Sequence, residues 1–224
     1  WASRIKPNAN PNSGQNRVDS IATKQDIVDK QITINTNSEI VATEIAITGG
    51  QELVVISLYR PPSNNLEQAE EACLAIREIL QNHQTATIWL SGDLNLPDIN
   101  WKTETIDSHQ YSLPVNSAFL STVQDLGLTQ VVDFPTRRQA TLDLFLTNRP
   151  TLVSKCIPLP GISDHEMVLT DSDVRAQLKK TPQRKIYLWN KANFQEVRLD
   201  LQNFVDDFFI STTLEPPVET QWRH

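Results

Sequence analysis

Two cysteines, one methionine and six glycines in 224 residues leave little room for several kinds of protein. Cys73 and Cys156 lack the paired spacing of a zinc site and are too few for a disulfide framework. Reduced thiols are the default for such a chain, so a nuclear or cytoplasmic setting is expected. No run approaches the roughly 18 consecutive apolar residues of a membrane span, and no membrane partner is expected. No signal-peptide pattern is visible in the residues given; the chain begins at Trp1 and reads as a fragment of a longer protein. Positive charge is short too, and a net charge of −7 argues against a broadly basic nucleic-acid binder.

What is present suits a globular fold. Hydrophobic residues make up 39% and charged residues 21%, and the length fits one domain with an extension. Residues 1–20 are rich in Asn, Pro, Ser and Gly without apolar period, and read as a disordered or poorly packed lead-in. The stretch 21–174 carries strand and helix patterns. From 175 the character changes: Arg175, Lys179, Lys180, Arg184, Lys185 and Lys191 follow with no acid between them. That basic strip is either a solvated linker or a phosphate-contacting segment.

The ordered part alternates between two periods. Residues 39–58 read as a hairpin turned by Gly49-Gly50, whose second strand has the fully apolar centre Leu53-Val54-Val55-Ile56. Tyr59-Arg60-Pro61-Pro62 ends it, because two prolines stop ladder pairing. A helix is expected over 66–82, with Leu66, Ala69, Cys73, Ile76 and Leu80 on one face and a cap in Ser63-Asn64-Asn65. Further expectations are a strand and loop over 86–101, a helix over 116–126 and strands over 128–132, 142–146, 153–157 and from 167. A last amphipathic helix is expected over 192–209. The order is that of a mixed α/β protein.

The centre of interest is Ile88-Trp89-Leu90-Ser91-Gly92-Asp93-Leu94-Asn95. An apolar strand stops at a glycine and presents a carboxylate and an amide two residues apart, so both can face one pocket. Turn chemistry is the alternative use of the pair. Asp143 lies inside Leu142-Asp143-Leu144-Phe145-Leu146, where a charge needs a partner, and His165 of Ser163-Asp164-His165 is the candidate. Thr136 and Arg137, in Phe134-Pro-Thr-Arg-Arg, are plausible phosphate contacts or part of a solvated loop.

Taken in order, Tyr-Arg-Pro-Pro at 59–62, Gly-Asp-Leu-Asn at 92–95 followed by Leu-Pro-Asp-Ile-Asn-Trp, Pro-Thr-Arg at 135–137, Leu-Asp-Leu-Phe-Leu-Thr-Asn at 142–148 and Ser-Asp-His at 163–165 resemble the endonuclease/exonuclease/phosphatase superfamily, with its DNase I-like fold. More narrowly they resemble the endonuclease domain of LINE-type (non-LTR) retrotransposons. The segment around Tyr187-Leu-Trp-Asn resembles the stretch leading to a reverse transcriptase. The resemblance implies a two-sheet, four-layer sandwich flanked by helices, lacking here its first strands and followed by a C-terminal helix.

It also implies Mg2+-dependent (or Mn2+-dependent) phosphodiester hydrolysis, with DNA as partner and a reverse transcriptase domain in the parent chain. Asp93 would activate water, Asn95 and Tyr59 would hold the scissile phosphate, and His165, oriented by Asp143, would stabilise its charge. Asp164 would bind the metal, and Thr136 and Arg137 the substrate. The family's N-terminal Asn and Glu motifs are absent from the sequence. The alternatives are an inactive remnant or nucleic-acid-binding module of the same fold and, third, a superfamily phosphomonoesterase.

Overall fold

A computed structural model describes residues 20–107, 109–161, 163–179 and 188–212, and the backbone of Ala2–Arg4. The chain divides into two units, Trp1–Lys180 and Thr181–His224. The first begins with strand β1 (Ala2–Arg4), paired antiparallel with β2 (Ala22–Lys24). A strand therefore stands inside the stretch read as a poorly packed lead-in; the rest of that lead-in, 5–19, lies outside the described residues. β3 (Asp29–Ile32), β4 (Glu39–Ala46) and β5 (Glu52–Tyr59) form an antiparallel meander. The β4–β5 turn has Gly49 and Gly50 at φ +92 and +74, backbone that only glycine adopts cheaply.

Helix α1 (Leu66–Asn82) follows, and Asn65 caps it by accepting the Gln68 N–H at 3.2 Å. α1 is the crossover that a parallel strand pair needs: β6 (Thr87–Asp93) runs parallel to β5. The small pair β7 (Ile99–Asn100) and β8 (Thr105–Ile106) leads to α2 (Leu113–Asp125). α2 starts three residues before the expected 116, since Ser112 stands at its cap and Pro114 suits a first turn, whose amides lack helical acceptors. β9 (Thr129–Gln130) is shorter than the expected 128–132. β10 (Asp143–Thr147) pairs with both β6 and β9, giving the sheet order β3-β4-β5-β6-β10-β9. β11 (Val153–Leu159) and β12 (Met167–Ser172) form a separate hairpin.

Strand alternation sorts the sheet into two faces. Ile40, Ala42, Val54, Ile56, Leu58, Ile88, Leu90, Leu144 and Leu146 join α1 and α2 in the main core. Each fully buried aliphatic there contributes about 1.5–3 kcal/mol. The other face carries Val41, Val55, Trp89 and Phe145; the last two rings lie 5.8 Å apart. Ile21, Ile27, Val174 and Ala176 cover part of it. The first basic residues belong to this unit, because Ala176 and Leu178 bridge to Ile47 and Ile27, and Lys179 lies 3.6 Å from Asp29. The remainder of the basic strip, 180–187, is outside the described residues. In the second unit, Asn193 accepts the N–H groups of Gln195 and Glu196, so α3 (Phe194–Thr212) starts two residues later than the pattern indicates.

Candidate active site

The register of four strands builds the site. Asp93 ends β6 directly opposite Asp143, which opens β10. β5 and β6 are parallel with Ser57 beside Ser91, so Tyr59 falls beside Asp93, and Glu39 lies opposite Tyr59. These positions share the parity of Trp89 and Phe145, so the row stands on the sheet face away from α1 and α2. The loop before β12 brings His165 to the same end: its Nδ1 lies 2.8 Å from Asp143 Oδ2. One ligand atom from each of Asp93, Asp143 and His165 lies within 4.8 Å of the others. An ionised carboxylate only accepts, so Asp143 fixes a proton on Nδ1 and leaves Nε2 for other work.

The Asp93 carboxyl is held above its ordinary value, first by burial and then by the neighbouring charge of Asp143. Its Oδ1 accepts the Asn95 N–H at 3.2 Å. Asn95 has φ +47, a left-handed conformation that Asn tolerates better than most residues. Its side chain is buried and donates to the Arg60 carbonyl at 2.9 Å. Gly92 makes the turn possible, because a Cβ there would lie 1.9 Å from the Leu58 carbonyl oxygen.

The remaining expected residues fall around this centre in ways the sequence does not announce. Thr136, read as a phosphate contact, is fully buried, and its hydroxyl accepts the N–H groups of Leu142 (2.9 Å) and Asp143 (3.0 Å). It positions the start of β10 rather than facing a ligand. Its carbonyl accepts the Glu166 N–H at 2.7 Å, tying the His165 loop to the same segment. Thr136→Val keeps the shape and strands two amides; a loss of about 1–3 kcal/mol is expected from urea unfolding.

Asp164, read as the metal ligand, pairs with Arg137 instead: Nε and Nη2 lie 2.8 and 2.6 Å from Oδ2. The hydrogen bond from Arg137 holds the exposed Asp164 carboxyl below its usual range. Both residues are thus at the site mouth but bound to each other, and Asp164 is not in the converging group. Glu44 gathers with Glu52 and His83 at the opposite end of β4 and β5. A cleft of about 590 Å³ lies between the 97–107 loop and residues 130–141, lined by Trp101, Lys102, Asp133 and Gln139 among others. None of Asp93, Asn95, Asp143 and His165 lines it.

Sequence reasoning missed the parts that hold the turn: Arg60, Thr136 in its actual role, and Asp98. Asp98 is buried and accepts from the N–H groups of Gln110 and Tyr111 and from Asn116 Nδ2. A charged residue inside an otherwise structural motif was the available signal for both Arg60 and Asp98.

A sheet with two helices on one face, acids at the strand ends and a His–Asp pair beside them is a DNase I-like α/β arrangement. The catalytic domain of human Nocturnin, determined with a bound sulfate anion, has this fold; it superposes with a TM-score of 0.50 at 14% identity, over 79% of this chain and 72% of that one. A humanized D. rerio TDP2 matches with a TM-score of 0.45 at 13% identity, over 75% of each chain. No curated protein sequence matches the chain. Residues 53–169, just over half of the chain, match the model of the Endonuclease-reverse transcriptase family. The chain belongs to that family, within the endonuclease/exonuclease/phosphatase superfamily of hydrolases.

Proposed function

We propose that this chain is the DNA-nicking domain of a non-LTR retrotransposon polyprotein and hydrolyses phosphodiesters with Mg2+ or Mn2+. The observation that carries the reading is the convergence of Asp93, Asp143 and His165 from three separate segments onto one strand end. In-line attack on a phosphodiester requires a base for water and donors around the phosphoryl oxygens. Asp93, with its raised proton affinity, is a stronger base than an ordinary carboxylate. His165, its ring fixed through Nδ1, presents Nε2 to the phosphate. Tyr59 and Asn95 contact the phosphate from the β5 side, and Arg137 from the loop before β10.

The donor set fits a divalent cation. The neighbouring charge of Asp143 disfavours that of Asp93, and a cation beside them would relieve that. Asp93 and Asp143 would hold it, with Asp164 available once Arg137 turns to substrate. Bound there, the ion supplies positive charge beside the phosphoryl oxygens. DNA is the partner, a reverse transcriptase domain belongs to the parent chain, and the nucleus or cytoplasm suits the free Cys73 and Cys156.

The test is conversion of supercoiled plasmid to the nicked form. Nicking in Mg2+ that disappears in EDTA, and falls about 10²–10⁴-fold in His165→Ala, is expected. A folded wild-type chain that nicks nothing would instead make it an inactive or binding remnant of the fold. Release of phosphate from a monoester with no nicking would point to the phosphomonoesterase branch.

A further inference from the structure

The geometry points to Arg60 as the positioning residue of the catalytic turn, a buried guanidinium that clamps Leu94 and Asn95 from below and aims Asp93 and Asn95 at the substrate. This rests on the nuclease reading of the same site. Arg60 is 5% exposed. Its Nη1 donates to the carbonyls of Asn95 (2.9 Å) and Leu94 (3.4 Å), and Nη2 donates to the Ser63 carbonyl. The backbone repeats the tie in both directions. The Arg60 N–H donates to the Asp93 carbonyl at 2.9 Å, and Asn95 Nδ2 donates to the Arg60 carbonyl at 2.9 Å.

A buried cation is costly unless compensated. Among the described residues no carboxylate lies within ion-pair distance of Arg60. Aromatic faces and carbonyl dipoles do the compensating: the guanidinium carbon sits 4.7 Å from the Tyr111 ring centre and 5.8 Å from that of Phe119. Tyr111 is in turn held through its N–H by Asp98, three residues beyond Asn95. The clamp is therefore closed on both sides. It reaches the one non-glycine residue of the turn in the left-handed region, Asn95, whose conformation needs outside support.

Only a planar fork does this. Lysine carries the charge, but its single ammonium does not span three carbonyls while stacking on a ring. Arg60→Lys is thus expected to bind plasmid with KM unchanged within about threefold. Its kcat should fall about 10- to 100-fold, as small misplacements of reacting groups do. The independent readout is the Asn95 side-chain amide in ¹⁵N-labelled full chain. In the wild type this buried, hydrogen-bonded amide is expected to exchange slowly; in Arg60→Lys its protons should shift and exchange at least about tenfold faster.

A folded Arg60→Lys with wild-type kcat and an unmoved Asn95 amide overturns the assignment and leaves the nuclease reading intact. A folded wild type that nicks nothing ends the nuclease reading, and the amide alone then decides on Arg60. If Arg60→Lys does not fold, Tyr111→Leu, which removes one stacking face, takes its place. That variant should lower kcat about 3- to 10-fold and move the same amide; no change in either overturns the clamp.

Discussion

Asp93→Asn is expected to cut Mg2+-dependent nicking by about 10²–10⁴-fold while raising the melting temperature measured in EDTA at pH 7. The two effects have one cause. The carboxyl is buried at the end of β6 and faces Asp143, so its charged form is disfavoured in the folded chain and its proton is held more tightly than in the unfolded one. A carboxyl whose folded value is raised contributes stability that is complete below its unfolded value. That stability is lost as pH rises through the folded value. At pH 7 the ionised Asp93 therefore works against the fold, and asparagine, which cannot ionise, removes the penalty. Its Oδ1 still accepts the Asn95 N–H. The gap in melting temperature between variant and wild type should widen as pH rises from 4 to 7; a gap independent of pH would mean that the Asp93 charge is not the strained element.

The sequence was most legible where one period governs one element. The apolar centre of β5 and the three-to-four-residue spacing of α1 each follow from local pattern and stand where the pattern puts them, whereas β6 runs on past the expected stop at Ser91-Gly92, so that Asp93 ends the strand instead of standing in the loop. The Asp143–His165 pair was legible as well, because a carboxylate inside an apolar strand demands a partner and few candidates existed. Thr136 was not legible. Its partners are the N–H groups six and seven residues on, which donate to its hydroxyl only when the chain folds back into β10, so a threonine before an arginine looked like a phosphate contact. Arg60 was hidden for a related reason: what buries it, Tyr111 and Phe119, arrives from α2 and the loop before it, far along the chain. Asp164 shows the limit from the other side. The family motif assigns it a ligand role, and a neighbouring cation, Arg137, occupies its carboxylate. Residue type and spacing identify the chemistry available to a site; which group faces which is settled by contacts between segments.

Two glycines at the site separate fold from function, and Gly92→Ala is the larger loss. Its φ of +144 is one that L-residues rarely adopt, and the added Cβ would lie 1.9 Å from the Leu58 carbonyl oxygen and 2.8 Å from its carbonyl carbon. Both obstacles are backbone in the centre of the sheet, where β5 and β6 are hydrogen-bonded partners, so no side-chain rotation relieves the overlap. A loss of about 4 kcal/mol or more is expected, most of the stability of a domain at the lower end of the ordinary range of about 5–15 kcal/mol. The observation would be a collapse of the urea midpoint or no folded protein at all. Gly161→Ala meets backbone too, 1.7 Å from the His165 carbonyl oxygen, but in a loop at the surface instead of between paired strands. The loop can move outward at a cost of about 1–3 kcal/mol, carrying His165 away from Asp143. That variant should still unfold cooperatively, its urea midpoint lowered by no more than that cost, and yet lose nicking nearly as completely as His165→Ala. If Gly161→Ala kept full activity, the 2.8 Å contact between His165 and Asp143 would not be the arrangement that acts on the phosphate. If Gly92→Ala folded normally, the close approach of β5 and β6 beneath Asp93 would be wrong, and the aim of the whole turn with it.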